Sequence, residues 1–295
     1  MSTKKYFSLV IFLFVCSCFF QQLRADNITD IKDRLTKEAI PAWRAMKKNY
    51  ENLTFTVVVN RDDIKKTNER DFAYSTLKLS TLDNNTMLEC IYRDKEDGTV
   101  RENFKCKNKK YYFAIDRANR EDQWQISELY LNENNNYDQI NFDSYEIIST
   151  GWSILSVPME DIINDPTFEI KSVATNKNKD NDELVTVTFT LLNNKLLQQQ
   201  PIFDELQTAT VVFNKTKNWI ITNYELSSYN KNYEYNYKGI CKCEYDFSKD
   251  TPFMKTYNYT LQHNHKQKVN WSAEVKNIEP CKMQNNEFTL SAFGL

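Results

Sequence analysis

Between Leu184 and Leu191 the chain alternates strictly, with Val185, Val187, Phe189 and Leu191 on one side and Thr186, Thr188 and Thr190 on the other. Successive side chains of a β-strand point to opposite faces, so a period of two forces this segment into a sheet with one dry and one wet face. The same habit recurs at 207–213, 219–226, 233–237, 257–265 and 269–275, and Leu53, Phe55, Val57 and Val59 form one face of an earlier strand. Turn-forming residues separate such runs: Asp97-Gly98, Asn134 to Asn136, Asn176 to Asp182 and Lys249 to Pro252. A chain built this way is committed to antiparallel pairing of successive strands.

Two segments break the pattern. Over 27–50, Ile28, Ile31, Leu35, Ala39, Trp43, Met46 and Tyr50 recur at three-to-four spacing, which predicts an amphipathic helix. Asn27 with Asp30 caps its start, and Pro41 kinks it. Near the middle, Ser156-Val157-Pro158 followed by Glu160 and Asp161 starts a short helix, and Asp165-Pro166 ends it. The expected order is a helix, about six strands, a short helical insertion and about six more strands. This is a mainly β (α+β) fold: a large curved antiparallel sheet or open β-barrel, covered by the N-terminal helix and the mid-chain insertion. With 295 residues, 41% of them hydrophobic, the chain supports one sizeable core, so 26–295 is expected as a single β-rich domain.

The first 25 residues read as an export signal. Lys4 and Lys5 precede an apolar run from Phe7 to Phe20, and Leu23-Arg24-Ala25 offers a cleavage site before Asp26. That run is short for a membrane span, and after it no stretch of about 18 apolar residues follows. The expected location is periplasmic or secreted. The alternative is a lipid anchor in the cell envelope, because Val15-Cys16-Ser17-Cys18 looks like a lipobox with Cys18 as the acylated residue, although Cys16 is atypical there.

Composition removes several classes of function. Without Lys4, Lys5 and Arg24, 35 basic residues face 40 acidic ones, a balance with no electrostatic footprint for nucleic acid. Nor is there a polybasic segment for anionic lipid. The four glycines, Gly98, Gly151, Gly239 and Gly294, are far apart, which excludes phosphate-cradling loops and dinucleotide fingerprints. No cofactor is expected. The sequons at Asn27, Asn52, Asn84, Asn214, Asn258 and Asn270 are what so Asn-rich a chain produces by chance.

Five cysteines remain after the leader, Cys90, Cys106, Cys241, Cys243 and Cys281, and in an exported protein disulfides are the default expectation. Cys90 and Cys106 flank a hairpin turning near Glu96 to Gly98, which would set them almost opposite each other. Cys281 could fold back onto Cys241 or Cys243; buried reduced thiols throughout are the alternative. Cys241-Lys242-Cys243 and His263-Asn264-His265 each place two side chains on one face of a strand. A turn near 249–251 would hold the two pairs roughly 16 Å apart, too far to share a metal. No catalytic residue is expected: a His-dependent hydrolase would need His263 or His265, and Gly151-Trp152-Ser153-Ile154-Leu155 lacks the second glycine of a nucleophile elbow. The tyrosines Tyr233, Tyr235 and Tyr237 make an aromatic stripe that either packs in the sheet or faces a ligand.

The order of elements, with Asn108-Lys109-Lys110-Tyr111-Tyr112-Phe113 as a hairpin return, Thr210 to Leu226 as a strand–turn–strand and the closing Glu287 to Leu295, resembles the periplasmic lipoprotein carriers of the LolA/LolB family and uncharacterised exported bacterial proteins of similar build. The resemblance implies an apolar cavity between a curved sheet and its covering helices, suited to acyl chains, and assigns no functional residue. The expected function is a non-enzymatic binding domain whose partner is a lipid or other hydrophobic small molecule. The alternative is a structural or protein-interaction module of the cell envelope, marked by an exposed apolar patch in place of a pocket; the third class is a hydrolase, which needs His263, His265 or a carboxylate pair lining a cleft.

Overall fold

The alternating segments pair in sequence order. In the computed structural model, which describes residues 28–63, 72–83, 85–94, 100–131, 147–155, 157–191, 206–230, 234–248, 251–264 and 267–295, they form one antiparallel sheet of 13 strands. The first arm comprises β1 (Leu53–Asp63), β2 (Phe72–Leu82), β3 (Asn85–Asp94), β4 (Val100–Lys107), β5 (Tyr111–Arg117) and β6 (Gln125–Leu131). An insertion follows, with the two-residue strands β7 (Ser153–Ile154) and β8 (Val157–Pro158) and the helix Met159–Asn164. The second arm is β9 (Phe168–Lys177), β10 (Glu183–Leu191), β11 (Leu206–Asn214), β12 (Ile220–Asn230), β13 (Tyr235–Asp246), β14 (Phe253–His263) and β15 (Gln267–Pro280). Each strand lies beside its neighbour in sequence except at the seam, where β1 pairs with β15 and joins the arms. The sheet is not closed: β6 and β9 are its edges.

The pattern that announced the sheet also decides its faces. Val185, Val187, Phe189 and Leu191 are buried, while Thr186, Thr188 and Thr190 stay half-buried on the other side. The buried face, called inner here, carries the N-terminal helix and the insertion. The helix runs over 28–49; its middle, Leu35–Ala39, is in π form and Ile40–Asn49 is regular α-helix. Pro41 supplies no backbone N–H, and the irregular turn lies just before it, where the sequence places a kink. Ile31, Leu35, Ala39, Ile40, Trp43, Met46 and Tyr50 are all buried against the sheet, in a single cluster with Ile147, Ile148, Trp152, Met159, Ile162 and Ile163 from the insertion. Gly151 permits the close approach there. Its carbonyl accepts from the Ile221 N–H at 3.0 Å, and a Cβ would meet Ile220 Cγ1 at 3.2 Å.

The outer face of the first arm has a cover that the sequence did not announce. After β15 the chain crosses it, and fully buried Phe288 seals a second cluster of Met87, Cys106, Phe113 and Ile115. The Phe288 carbonyl accepts from Asn108 Nδ2 at 2.7 Å, and the rings of Phe104, Phe113 and Trp124 pack on Phe293.

Candidate functional site

The seam between the inner face and the N-terminal helix is where the largest apolar side chains meet. Tyr50 closes one end: its ring lies 5.3 Å from Phe55, 5.0 Å from Trp152 and 5.0 Å from Phe253, centroid to centroid. Its hydroxyl donates to the Pro252 carbonyl at 2.8 Å and accepts from the Met254 N–H at 3.3 Å. Burial pushes its ionisation far above the ordinary tyrosine range, so the phenol stays protonated. Trp43 sits midway and donates its indole N–H to the Trp219 carbonyl at 2.9 Å. Trp219 has φ +58°, a left-handed conformation that a bulky residue adopts only when its surroundings hold it. The Arg34 guanidinium stacks 5.3 Å from the Trp219 ring, and Arg44 pairs with Glu160 of the insertion. The helix therefore lies on an apolar surface and is tied by a few polar contacts, most of them toward its second half.

Beneath the helix, Leu35, Trp43 and Met46 pack in one cluster with side chains of the sheet and of the insertion. Two open grooves lie elsewhere, and polar residues contribute much of their lining. One, of about 660 Å³, is bounded by Asn52, Asp83, Asn85, Asn108, Lys109 and Lys110. The other, of about 530 Å³, lies along the C-terminal segment, with Lys78, Glu89, Phe104, Met283 and Phe293 among its walls. Burial raises the Glu89 carboxyl above its usual range, and the nearby Glu102 adds to the effect. Glu102 is itself buried and ion-paired with Arg117 and Arg120.

Among the described residues the five cysteines form no disulfide, and the register revises the pairing expected for them. Cys90 faces Asn103 across the β3–β4 ladder, while Cys106 faces Met87. An offset of three positions puts them on opposite faces: Cys90 packs in the inner cluster and Cys106 in the outer one. The register, which pairs Arg93 with Val100, is not the one the turn residues imply, and the difference reverses the face. Burial pushes the Cys106 thiol up to about 12. Cys281 packs beside the outer cluster, on the other side of the sheet from Cys241 and Cys243, so it does not fold back onto either. Cys241 and Cys243 lie together on the inner face with their sulfurs 3.5 Å apart. In the β13–β14 ladder Cys241 faces Tyr259 and His263 faces Tyr237, a separation of about 13 Å along the strand. Among the described residues no three His, Cys, Asp or Glu side chains cluster as a metal site. The leader with Cys18, the sequons at Asn27 and Asn84, and His265 lie outside the described residues. Tyr237, the one member of the tyrosine stripe whose side chain is described, packs in the inner core.

No family profile matches the chain, and no curated protein matches it. Several solved structures are similar to it. A putative outer membrane lipoprotein-sorting protein domain from Vibrio parahaemolyticus shares 9% identity over 88% of this chain and 97% of its own, with a TM-score of 0.46. A LolA superfamily protein from Nitrosomonas europaea shares 9% over 85% and 97%, at 0.41. The lipoprotein LppX of Mycobacterium tuberculosis shares 6% over 84% and 95%, at 0.29. At such identity and overlap these structures say nothing of what this chain binds.

Proposed function

We propose that this chain is an exported, non-enzymatic binding domain that takes a lipid or other hydrophobic ligand between the inner face of the sheet and the N-terminal helix. The observation that carries the reading is the helix itself: an apolar cover with a π-form turn in its middle, laid on the apolar cluster of the inner sheet face. A ligand enters by displacing the cover. Ile31, Leu35, Ile40, Trp43, Met46 and Tyr50 give up roughly 2 kcal/mol each when they leave the sheet, or about 12 kcal/mol together. An acyl chain of about 15 methylenes regains about the same amount at ~0.8 kcal/mol per CH₂. The exchange is close to balanced, as a carrier that must also release its cargo requires.

A second reading, an interaction module of the cell envelope, is favoured by the four large apolar side chains that β6 exposes. Native mass spectrometry on residues 26–295 with a total lipid extract separates the two. A stoichiometric adduct of acyl-chain mass supports the ligand reading. A clean protein mass at every lipid concentration removes it and leaves the interaction module.

A further inference from the structure

Among the described residues six large hydrophobic side chains are exposed, and four of them belong to the edge strand β6: Ile126, Leu129, Tyr130 and Leu131. Pairing with β5 shows how they are sorted. Leu129 faces Phe113, Leu131 faces Tyr111 and Ile126 faces Ile115, and these three partners all belong to the outer cluster or pack on it. Tyr130 faces Tyr112, an inner-face residue. Three aliphatic side chains therefore project from one face, 46%, 51% and 62% exposed for Ile126, Leu129 and Leu131. The half-buried aromatics Tyr111 and Trp124 lie beside them in the same cluster.

The β4–β5 turn brings charge to this patch. Asn108 Oδ1 accepts from the backbone N–H groups of Lys110 and Tyr111 at 2.8 and 3.0 Å, which fixes the turn. Lys109 and Lys110 are exposed at its tip, next to Tyr111 and hence one strand from Leu131. Glu128, the acidic residue of β6, faces Ala114 and the inner side. Far apart in sequence, the lysines and leucines become neighbours only through the β5–β6 register.

We propose that this outer-face patch of β6 docks the protein on a lipid bilayer containing anionic lipid. Aliphatic side chains would enter the headgroup–acyl boundary, the aromatics would lie at its edge and the two lysines would face the anionic headgroups. Addition of a partner strand fits less well. The edge strand is seven residues long and its ladder is interrupted between Ala114 and Ile115, both devices that discourage edge pairing. The aliphatics, moreover, stand off the sheet face and do not point along the edge. Nothing here depends on a ligand beneath the helix.

The test is co-sedimentation of the exported, processed chain with vesicles of phosphatidylcholine alone and of phosphatidylcholine mixed with phosphatidylglycerol. The expected result is binding to the mixed vesicles that weakens with salt. It should fall about tenfold in Leu129→Ser/Leu131→Ser and about tenfold in Lys109→Gln/Lys110→Gln. Tyr130→Ser, on the opposite face, should leave it unchanged, and circular dichroism of each variant checks the fold. The proposal is overturned by an absence of binding to mixed vesicles, or by leucine variants that bind as well as the wild type. Equal binding to both vesicle types overturns it too. A dimer in sedimentation velocity that the leucine substitutions dissociate, without vesicle binding, assigns the patch to a second copy of the chain instead.

Discussion

Replacing Trp43 by alanine tests the seam from both its structural and its functional side. The indole is 3% exposed, lies 5.8 Å from the Phe213 ring and donates to the Trp219 carbonyl. Truncation removes most of a buried aromatic, leaves a cavity and orphans a carbonyl on a strained backbone, so the expected cost is ~3–5 kcal/mol. For a domain of this size that lowers the melting temperature by about 10 °C, within the margin of a folded protein. The same change weakens the cover and vacates ligand-sized space, so Trp43→Ala should take up a fluorescent fatty acid more readily than the wild type. Urea melts monitored by circular dichroism give the first quantity and a fluorescence titration the second. A destabilisation below about 1 kcal/mol would refute the packing described, since a buried indole cannot be lost so cheaply. The expected destabilisation with no gain in uptake would refute the link between cover and ligand.

Three further outcomes follow from the contacts. Glu89 has a folded-state pKa raised above its unfolded value by burial, so its ionisation opposes folding as pH rises through that range; Glu89→Gln should raise the melting temperature at pH 7 and leave it unchanged below about pH 4. Arg117→Met leaves buried Glu102 with Arg120 as its remaining ion-pair partner and should cost ~2 kcal/mol in a urea melt. In protein recovered from an oxidising compartment, peptide mapping should find no disulfide joining Cys90 to Cys106; such a linked peptide would contradict the β3–β4 register.

What the sequence made legible was whatever depends on neighbours along the chain. The Val–Thr alternation of β10 and the three-to-four stripe from Ile28 to Tyr50 each bury one face, and a local period suffices to show it. What stayed hidden depends on register and long-range packing. The faces of Cys90 and Cys106 turn on the register of β3 against β4, and nothing local records it. Phe288 carries no sign that it will seal the outer face of strands β3 to β5, more than 170 residues earlier in the chain. The patch on β6 is hidden for the same reason: Ile126, Leu129 and Leu131 acquire a common face only through their partners on β5.

The measurement that bears most directly on the ligand reading is hydrogen–deuterium exchange of residues 28–49 in 26–295, with and without a long-chain phospholipid. A ligand that displaces the cover must break the Trp43–Trp219 and Tyr50–Pro252 contacts, so exchange in the helix should rise on lipid addition while the β10–β12 core stays protected. Unchanged protection of the helix at lipid concentrations that saturate binding would contradict the account, because the ligand would then lie somewhere other than beneath it.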